Sequence, residues 1–268
     1  MKIILSAIGT QGDVEPFLAI GEILKEKGHQ VICALSEQFR ELTESCDLEF
    51  ASLGRKIFDL NDSEFGRIIL GGGTGFKKLQ AYLKLLRNST PANKEKEILL
   101  YNLIQQEQPD KILYNSKTTY PIIWENINKG KTIFLSPFPY LHYVKGHPLL
   151  VFRKNYGALL NKLTFKLYNF GIATTTKIAK KWLQINDEIT RKQINDIIST
   201  RKFIYTISPS LFPRPGYWAD NVKVLGYHEL KRKINWKPEK ELIEFIEKNE
   251  RILFITFGSM PNTEPKYR

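Results

Sequence analysis

Cysteine is nearly missing from this chain: of 268 residues only Cys33 and Cys46 carry a thiol. Two thiols build neither a disulfide framework nor a zinc cluster, so a reducing, cytoplasmic setting is the expectation. Histidine is scarce too. His29 reads as packing at the start of a strand, His142, His147 and His228 are scattered, and no metal site is expected. No run reaches the roughly 18–20 apolar residues of a membrane-spanning helix. The opening residues 1–8 are too short for a signal-peptide core and run into Gly-Thr-Gln-Gly-Asp without a small-residue cleavage site. Neither glycine-rich stretch has the spacing of a nucleotide loop. Gly9-Thr10-Gln11-Gly12-Asp13 is not G-x-G-x-x-G, and Gly71-Gly72-Gly73-Thr74-Gly75 is followed by Phe76-Lys77-Lys78 instead of the Lys-Ser/Thr of a phosphate loop.

Acid is absent from one long window. Between Glu125 and Asp187 there is no Asp or Glu, while Lys129, Lys131, Lys145, Arg153, Lys154, Lys162, Lys166, Lys177, Lys180 and Lys181 all fall inside it. These ten account for most of the net charge of +12. Such a surface suits an anionic lipid or another polyanion. Within it, Leu159, Leu160, Leu163, Leu167 and Phe170 form an apolar stripe, with Lys162 and Lys166 four apart on another helical face. The expectation is that the stripe faces the core and the lysines face water. The competing reading is a basic amphipathic helix lying on an anionic bilayer through Arg153, Lys154, Lys162 and Lys166. No nucleic-acid recognition module is present.

What is present is a folded composition, 42% hydrophobic and 25% charged, in a length that suits one large domain or two modest ones. Residues 2–8 read as a strand buried on both faces. The loop 9–13 breaks it, and a helix follows with Asp13 or Val14 near its N-cap and Pro16 in its first turn. A strand over 29–35, a helix over 37–46 and a strand over 48–53 complete a βαβαβ opening. This is the start of a doubly wound, Rossmann-like parallel α/β sheet. Helices are expected over 76–86 and 94–106, separated by a Ser89-Thr90-Pro91 break. Further strands are expected over 111–114, 131–135, 203–207 and 222–225, with helices over 119–128, 149–170 and 176–198. After a linker at 231–238 and a helix at 239–248, residues 252–257 read as one more apolar strand. That strand needs a partner, either in the first sheet or in a further domain.

The loop 9–13 leaves the carboxyl end of the first strand, where open α/β sheets bind ligands. Its glycines permit close backbone approach, and helix-terminal N–H groups favour an anion. Asp13 can equally be a helix cap and nothing more. Residues 9–19, with Lys27-Gly28-His29-Gln30-Val31, resemble the N-terminal domain of nucleotide-sugar-dependent glycosyltransferases. The likeness is to sterol glucosyltransferases and to bacterial enzymes acting on lipids and natural products. Ser208-Pro209-Ser210-Leu211-Phe212-Pro213-Arg214-Pro215, Trp218 and 222–227 resemble the segment that closes this domain. Phe257-Gly258-Ser259-Met260 is similar to the first strand and turn of the second.

The resemblance implies the N-terminal half of a GT-B fold. Residues 1–230 would be an acceptor-binding domain, 231–250 a linker and helix, and 251–268 the start of a truncated nucleotide-sugar-binding domain. It implies Asp13 as general base, with Thr10, Gly12, Gly258 and Ser259 on the donor side; His147, in an apolar and basic segment, and Phe76, next to the glycine loop 71–75, are the acceptor-side candidates read from the residues themselves. Gln11 and Glu15 depart from the Arg and Gln common in the family. The implied reaction is inverting transfer of a hexose from a UDP-sugar to a hydroxyl of a lipid or other hydrophobic acceptor. No cofactor beyond that co-substrate is implied, and the isolated chain is expected to be inactive. The alternative is a non-catalytic remnant or split-gene product that binds an acceptor or a membrane surface. A nicotinamide-binding Rossmann protein is disfavoured by the missing fingerprint.

Overall fold

Seven parallel strands in the order β3-β2-β1-β4-β5-β6-β7 form the centre of the molecule. A computed structural model describes residues 1–57, 59, 75–149, 152, 154–186, 188–231 and 237–255, with only the helical backbone for 75–88. The strands are β1 (Lys2–Ala7), β2 (Gln30–Leu35), β3 (Glu49–Ser52), β4 (Lys111–Tyr114), β5 (Thr132–Ser136), β6 (Lys202–Tyr205) and β7 (Val222–Val224). Among the described residues the α-helices are α1 (Gln11–Glu26), α2 (Arg40–Ser45), α3 (Gly75–Glu107), α4 (Tyr120–Ile127), α5 (Ala158–Trp182), α6 (Arg191–Thr200) and α7 (Lys240–Lys248). The expected doubly wound architecture is therefore present.

The period-two alternation of a strand divides β1 between two cores. Ile3, Leu5 and Ala7 join Phe17 and Leu18 of α1 and the fully buried Cys33 of β2 on one face. Ile4 and Ile8 face the other, with Leu100 and Ile104 of α3, Ile122 and Ile123 of α4, and Phe134 and Phe203. Burial pushes the Cys33 thiol far above its ordinary value, which fits a core residue rather than a reactive one.

Four local expectations are corrected. Thr10, not Asp13 or Val14, is the N-cap of α1, so Asp13 is the third residue of the helix and Pro16 lies inside it. The break at Ser89-Thr90-Pro91 does not form, and α3 runs through Pro91 as one helix. An interior proline costs about 3 kcal/mol, but Ala92, Leu100 and Ile104 beyond it are buried, and that packing outweighs one lost backbone bond. The helices expected over 149–170 and 176–198 are replaced by α5 and α6, with the break moved to 183–190. Residues 252–255 carry no strand, and Leu253 and Phe254 are exposed.

The largest departure concerns α5. Its stripe faces outward, with Leu159 84%, Leu160 55%, Leu163 47%, Leu167 56% and Phe170 56% exposed. The inner face is made instead of Asn161, Thr164, Phe165, Ala173, Thr176 and Ala179. Small residues let the helix approach closely, and the buried polar groups are satisfied. Asn161 Oδ1 accepts from the Tyr156 amide at 3.1 Å, and its Nδ2 donates to Asn155 at 2.8 Å. The Thr164 hydroxyl accepts from the Leu149 amide at 3.0 Å and donates to the Asn161 carbonyl at 2.6 Å.

Candidate functional site

The order of the strands places a switch point between β1 and β4: the chain leaves β1 toward β2 and β3, and leaves β4 toward β5, β6 and β7. Diverging crossovers open a crevice at the carboxyl ends of the two central strands, the usual ligand position in such sheets. The loop Gly9-Thr10 enters α1 there, and the loop Asn115-Ser116-Lys117-Thr118-Thr119 enters α4 beside it.

Asp13 sits in that crevice with its side chain 5% exposed. All its described bonds fall on one oxygen. Oδ2 accepts from the Thr10 amide at 2.8 Å, the Thr10 hydroxyl at 3.3 Å and the Lys117 ammonium at 3.1 Å. Among the described residues nothing donates to Oδ1. Gly9 makes this placement possible. At φ +146° it adopts a conformation that L side chains rarely take, and a Cβ there would fall 2.0 Å from Asp13 Oδ2. Gly12 is exposed, and a Cβ there would meet nothing within 4 Å, so the space over the first turn is open. In the first turn of α1 the Asp13 amide donates to the Thr10 carbonyl at 3.0 Å, which leaves the Gln11 and Gly12 amides as the ones an anion could take. The two departures noted in the sequence are partners: Gln11 Nε2 donates to Glu15 Oε1 at 2.7 Å.

The β4 loop is fastened from both sides. Asn115, buried, donates its side-chain amide to the Ile8 carbonyl at 2.9 Å and accepts from the Lys117 amide at 3.1 Å. From α3, the buried Lys96 ammonium donates to the Lys117 carbonyl and pairs with Glu97 Oε1 at 3.0 Å. Glu97 accepts the Thr119 and Tyr120 amides at 3.0 and 2.9 Å, satisfying donors at the start of α4. These residues, Asn115, Lys117, Lys96 and Glu97, were missed from sequence. Asn-Ser-Lys-Thr does follow a strand at its carboxyl end, the same signal that singled out Gly9–Asp13, so Lys117 was findable by the rule already in use.

The remaining candidates are not gathered with Asp13. His147 lies on the connection after β5, exposed, with its ring stacked on Tyr140 at 4.6 Å. No described contact joins it to Asp13. The Phe76 side chain, Gly258 and Ser259 lie outside the described residues, as do Gly71–Thr74 and Arg153. A cavity of about 410 Å³ lined by Glu125, Thr132, Asp196, Arg201 and Lys202 opens at the amino ends of β5 and β6, the opposite edge of the sheet.

His142 belongs to the core rather than to chemistry. Its Nδ1 lies 2.9 Å from the Tyr205 hydroxyl, and its ring packs on Phe203 and Trp218. Burial, with a smaller contribution from the Arg201 charge, pushes it from its ordinary 6.5 down to about 4. The unfolded chain therefore binds this proton at higher pH than the folded chain does. Stability is retained above pH 6.5 and lost as pH falls toward 4, by roughly 3 kcal/mol. Unfolding free energies measured across that window should fall more steeply for the native chain than for His142→Gln. Parallel curves would rule this out.

Comparison with known proteins bears on the fold and the resemblance. Residues 3–99 match the glycosyltransferase family 28 N-terminal domain. The chain is 28% identical over 283 residues to the sterol 3-beta-glucosyltransferase UGT80A2 of Arabidopsis thaliana, covering 99% of this chain and 42% of that protein. It is 26% identical to the sterol 3-beta-glucosyltransferase of Saccharomyces cerevisiae, covering 96% and 21%. The chain thus spans less than half the length of these relatives. Among solved structures, the calicheamicin glycosyltransferase CalG4 superposes with a TM-score of 0.52 at 12% identity, covering 84% of this chain and 51% of that one. The glycotransferase of kitacinnamycin gives 0.52 at 13%, covering 89% and 55%. At such identities the likeness is one of fold, the Rossmann-like half of GT-B glycosyltransferases, and the resemblance read from the sequence is borne out.

Proposed function

We propose that this chain is the acceptor side of a glycosyltransferase that moves a hexose from a UDP-sugar to the hydroxyl of a sterol-like or other hydrophobic lipid acceptor, with inversion. The observation that carries the reading is Asp13: a buried carboxylate at the switch point, with one oxygen held by three donors and the other unclaimed among the described residues. The names of the relatives support the lipid acceptor and the sugar donor.

In this reading the acceptor O–H gives its proton to Asp13 Oδ1 while its oxygen forms a bond to the anomeric carbon. The bond from that carbon to the diphosphate breaks, and the electron pair leaves with the diphosphate. Thr10 and the open first turn at Gly12 face the donor. Residues 251–268, with Gly258 and Ser259, begin the half that grips it, after the connection at 231–250. His147 and Phe76 belong to the acceptor side. The described residues supply a base but no clamp for the diphosphate, so transfer needs a nucleotide-sugar-binding half. Without one, the lost proximity is worth up to about 7–11 kcal/mol. The test is transfer of labelled glucose from UDP-glucose to a sterol by the chain, alone and with a donor half joined to it. Product only in the second case is expected. Absence of product in both, with a panel of lipid alcohols, would overturn the reading.

The outward face of α5 supplies the route to a lipid. Its leucines are flanked by Lys154, Lys162 and Lys166 in a window without acid, and no helix among the described residues is long and apolar enough to cross a membrane. An exposed apolar stripe bordered by cations fits the interface of an anionic bilayer, and we assign that occupant to it. Sedimentation with phosphatidylglycerol vesicles should capture the chain, weaken at high salt, and fail for Leu163→Glu/Leu167→Glu. Equal capture by neutral vesicles, capture insensitive to salt, or self-association through this face in place of capture would remove the assignment.

A further inference from the structure

Lys117 is the feature the proposed reaction leaves unexplained. A lysine on a loop is ordinarily a solvated, mobile group, and an exposed ion pair contributes little. This one differs in three ways. Its partner is buried, with the Asp13 side chain 5% exposed against 45% for Lys117. Its backbone is fixed at both ends, the amide by Asn115 and the carbonyl by the buried Lys96 ammonium. And the residues after it are held by Glu97 through the Thr119 and Tyr120 amides. The loop is therefore anchored to both β1, through the Ile8 carbonyl, and α3, and it delivers one ammonium to one oxygen of Asp13.

A carboxylate taken out of water needs charge and hydrogen-bond compensation. Thr10 supplies two hydrogen bonds and no charge; among the described residues Lys117 supplies the only cation within bonding distance. The compensation is also directional. Because Thr10 and Lys117 converge on Oδ2, the carboxylate plane is set and Oδ1 is left as the proton acceptor.

From this convergence, and resting on the base role of Asp13, we infer that Lys117 is the positioning residue of the reaction: it holds the carboxylate from the β4 side of the crevice so that Oδ1 meets the acceptor hydroxyl. Lys117 itself touches neither reacting atom. The pair joins residues 104 apart in sequence, across the two loops that define the switch point.

The test uses Lys117→Met and Lys117→Arg in the enzyme with its donor half, beside Asp13→Asn. Lys117→Met should lower kcat on the order of 10²-fold, the loss that follows from misplacing a reacting group by an ångström. KM for sugar donor and acceptor should stay near native. Lys117→Arg should recover most of the rate, since a guanidinium can reach the same oxygen. In the 268-residue chain, the Lys117 ammonium nitrogen resonance should move when Asp13 becomes Asn. Native kcat in Lys117→Met, or a nitrogen resonance indifferent to Asp13→Asn, would overturn the inference. So would equal loss in Met and Arg variants with a lowered melting temperature. If Asp13→Asn is inactive while Lys117→Met is native, only this inference falls; if Asp13→Asn turns over normally, the base role falls with it.

Discussion

Asp13→Asn is expected to remove transfer almost entirely, by roughly 10²–10⁴-fold, the usual contribution of a positioned acid or base. The substitution is close to isosteric. An amide oxygen can replace Oδ2 as acceptor for the Thr10 amide, its hydroxyl and the Lys117 ammonium, so the first turn of α1 keeps its contacts. What the amide cannot do is take up a proton from an alcohol. The two consequences separate in measurement: single-turnover transfer collapses, while the melting temperature changes little. A variant that folds and turns over at near-native rate would refute the role of Asp13. A variant that fails to fold would show that the group serves structure, and Asp13→Glu, which keeps the charge, would then be the discriminating form.

Glu97→Ala should destabilise the fold by about 3–5 kcal/mol, the cost of breaking a buried ion pair. Glu97 and Lys96 are both buried, and Glu97 is the acceptor for Lys96 and for two amides at the start of α4. Removing it leaves the Lys96 cation with only neutral acceptors, Asn93 and the Lys117 carbonyl, and takes the acceptor from those two amides. Denaturant unfolding measures the sum. Lys96→Met/Glu97→Leu should regain part of the stability, because an apolar pair of similar volume avoids the stranded charge, while the Thr119 and Tyr120 amides stay without their acceptor. It should not regain activity, because the Lys117 carbonyl and the Thr119 amide lose their anchors. Full activity in the double variant would show that the loop needs no fastening from α3.

The sheet was legible because its strands are short apolar runs bounded by turn residues, and burial on both faces is the only environment that suits them. Ile3–Ile8 and Val31–Leu35 could be read without any knowledge of their neighbours. Asp13 was legible because the turn that leads into its helix follows the first strand directly. Pro91 misled because a local penalty was weighed without the packing of Leu100 and Ile104 beyond it. The α5 stripe misled for a related reason. Periodicity shows that a helix has an apolar face, but not which way it turns, and here Asn161, Thr164 and Thr176 find partners inside while the leucines stay out.

By itself, then, the order of amino acids determined the strands, the glycine at position 9 and the carboxylate that depends on it, since each of these follows from interactions within a few residues. Only the tertiary structure decided that β4 would lie beside β1, and with it that Lys117 would reach Asp13, that Lys96 and Glu97 would brace the loop between them, and that the leucines of α5 would face outward. Those outcomes depend on which elements become neighbours, and contacts between groups a hundred residues apart leave no mark in local spacing.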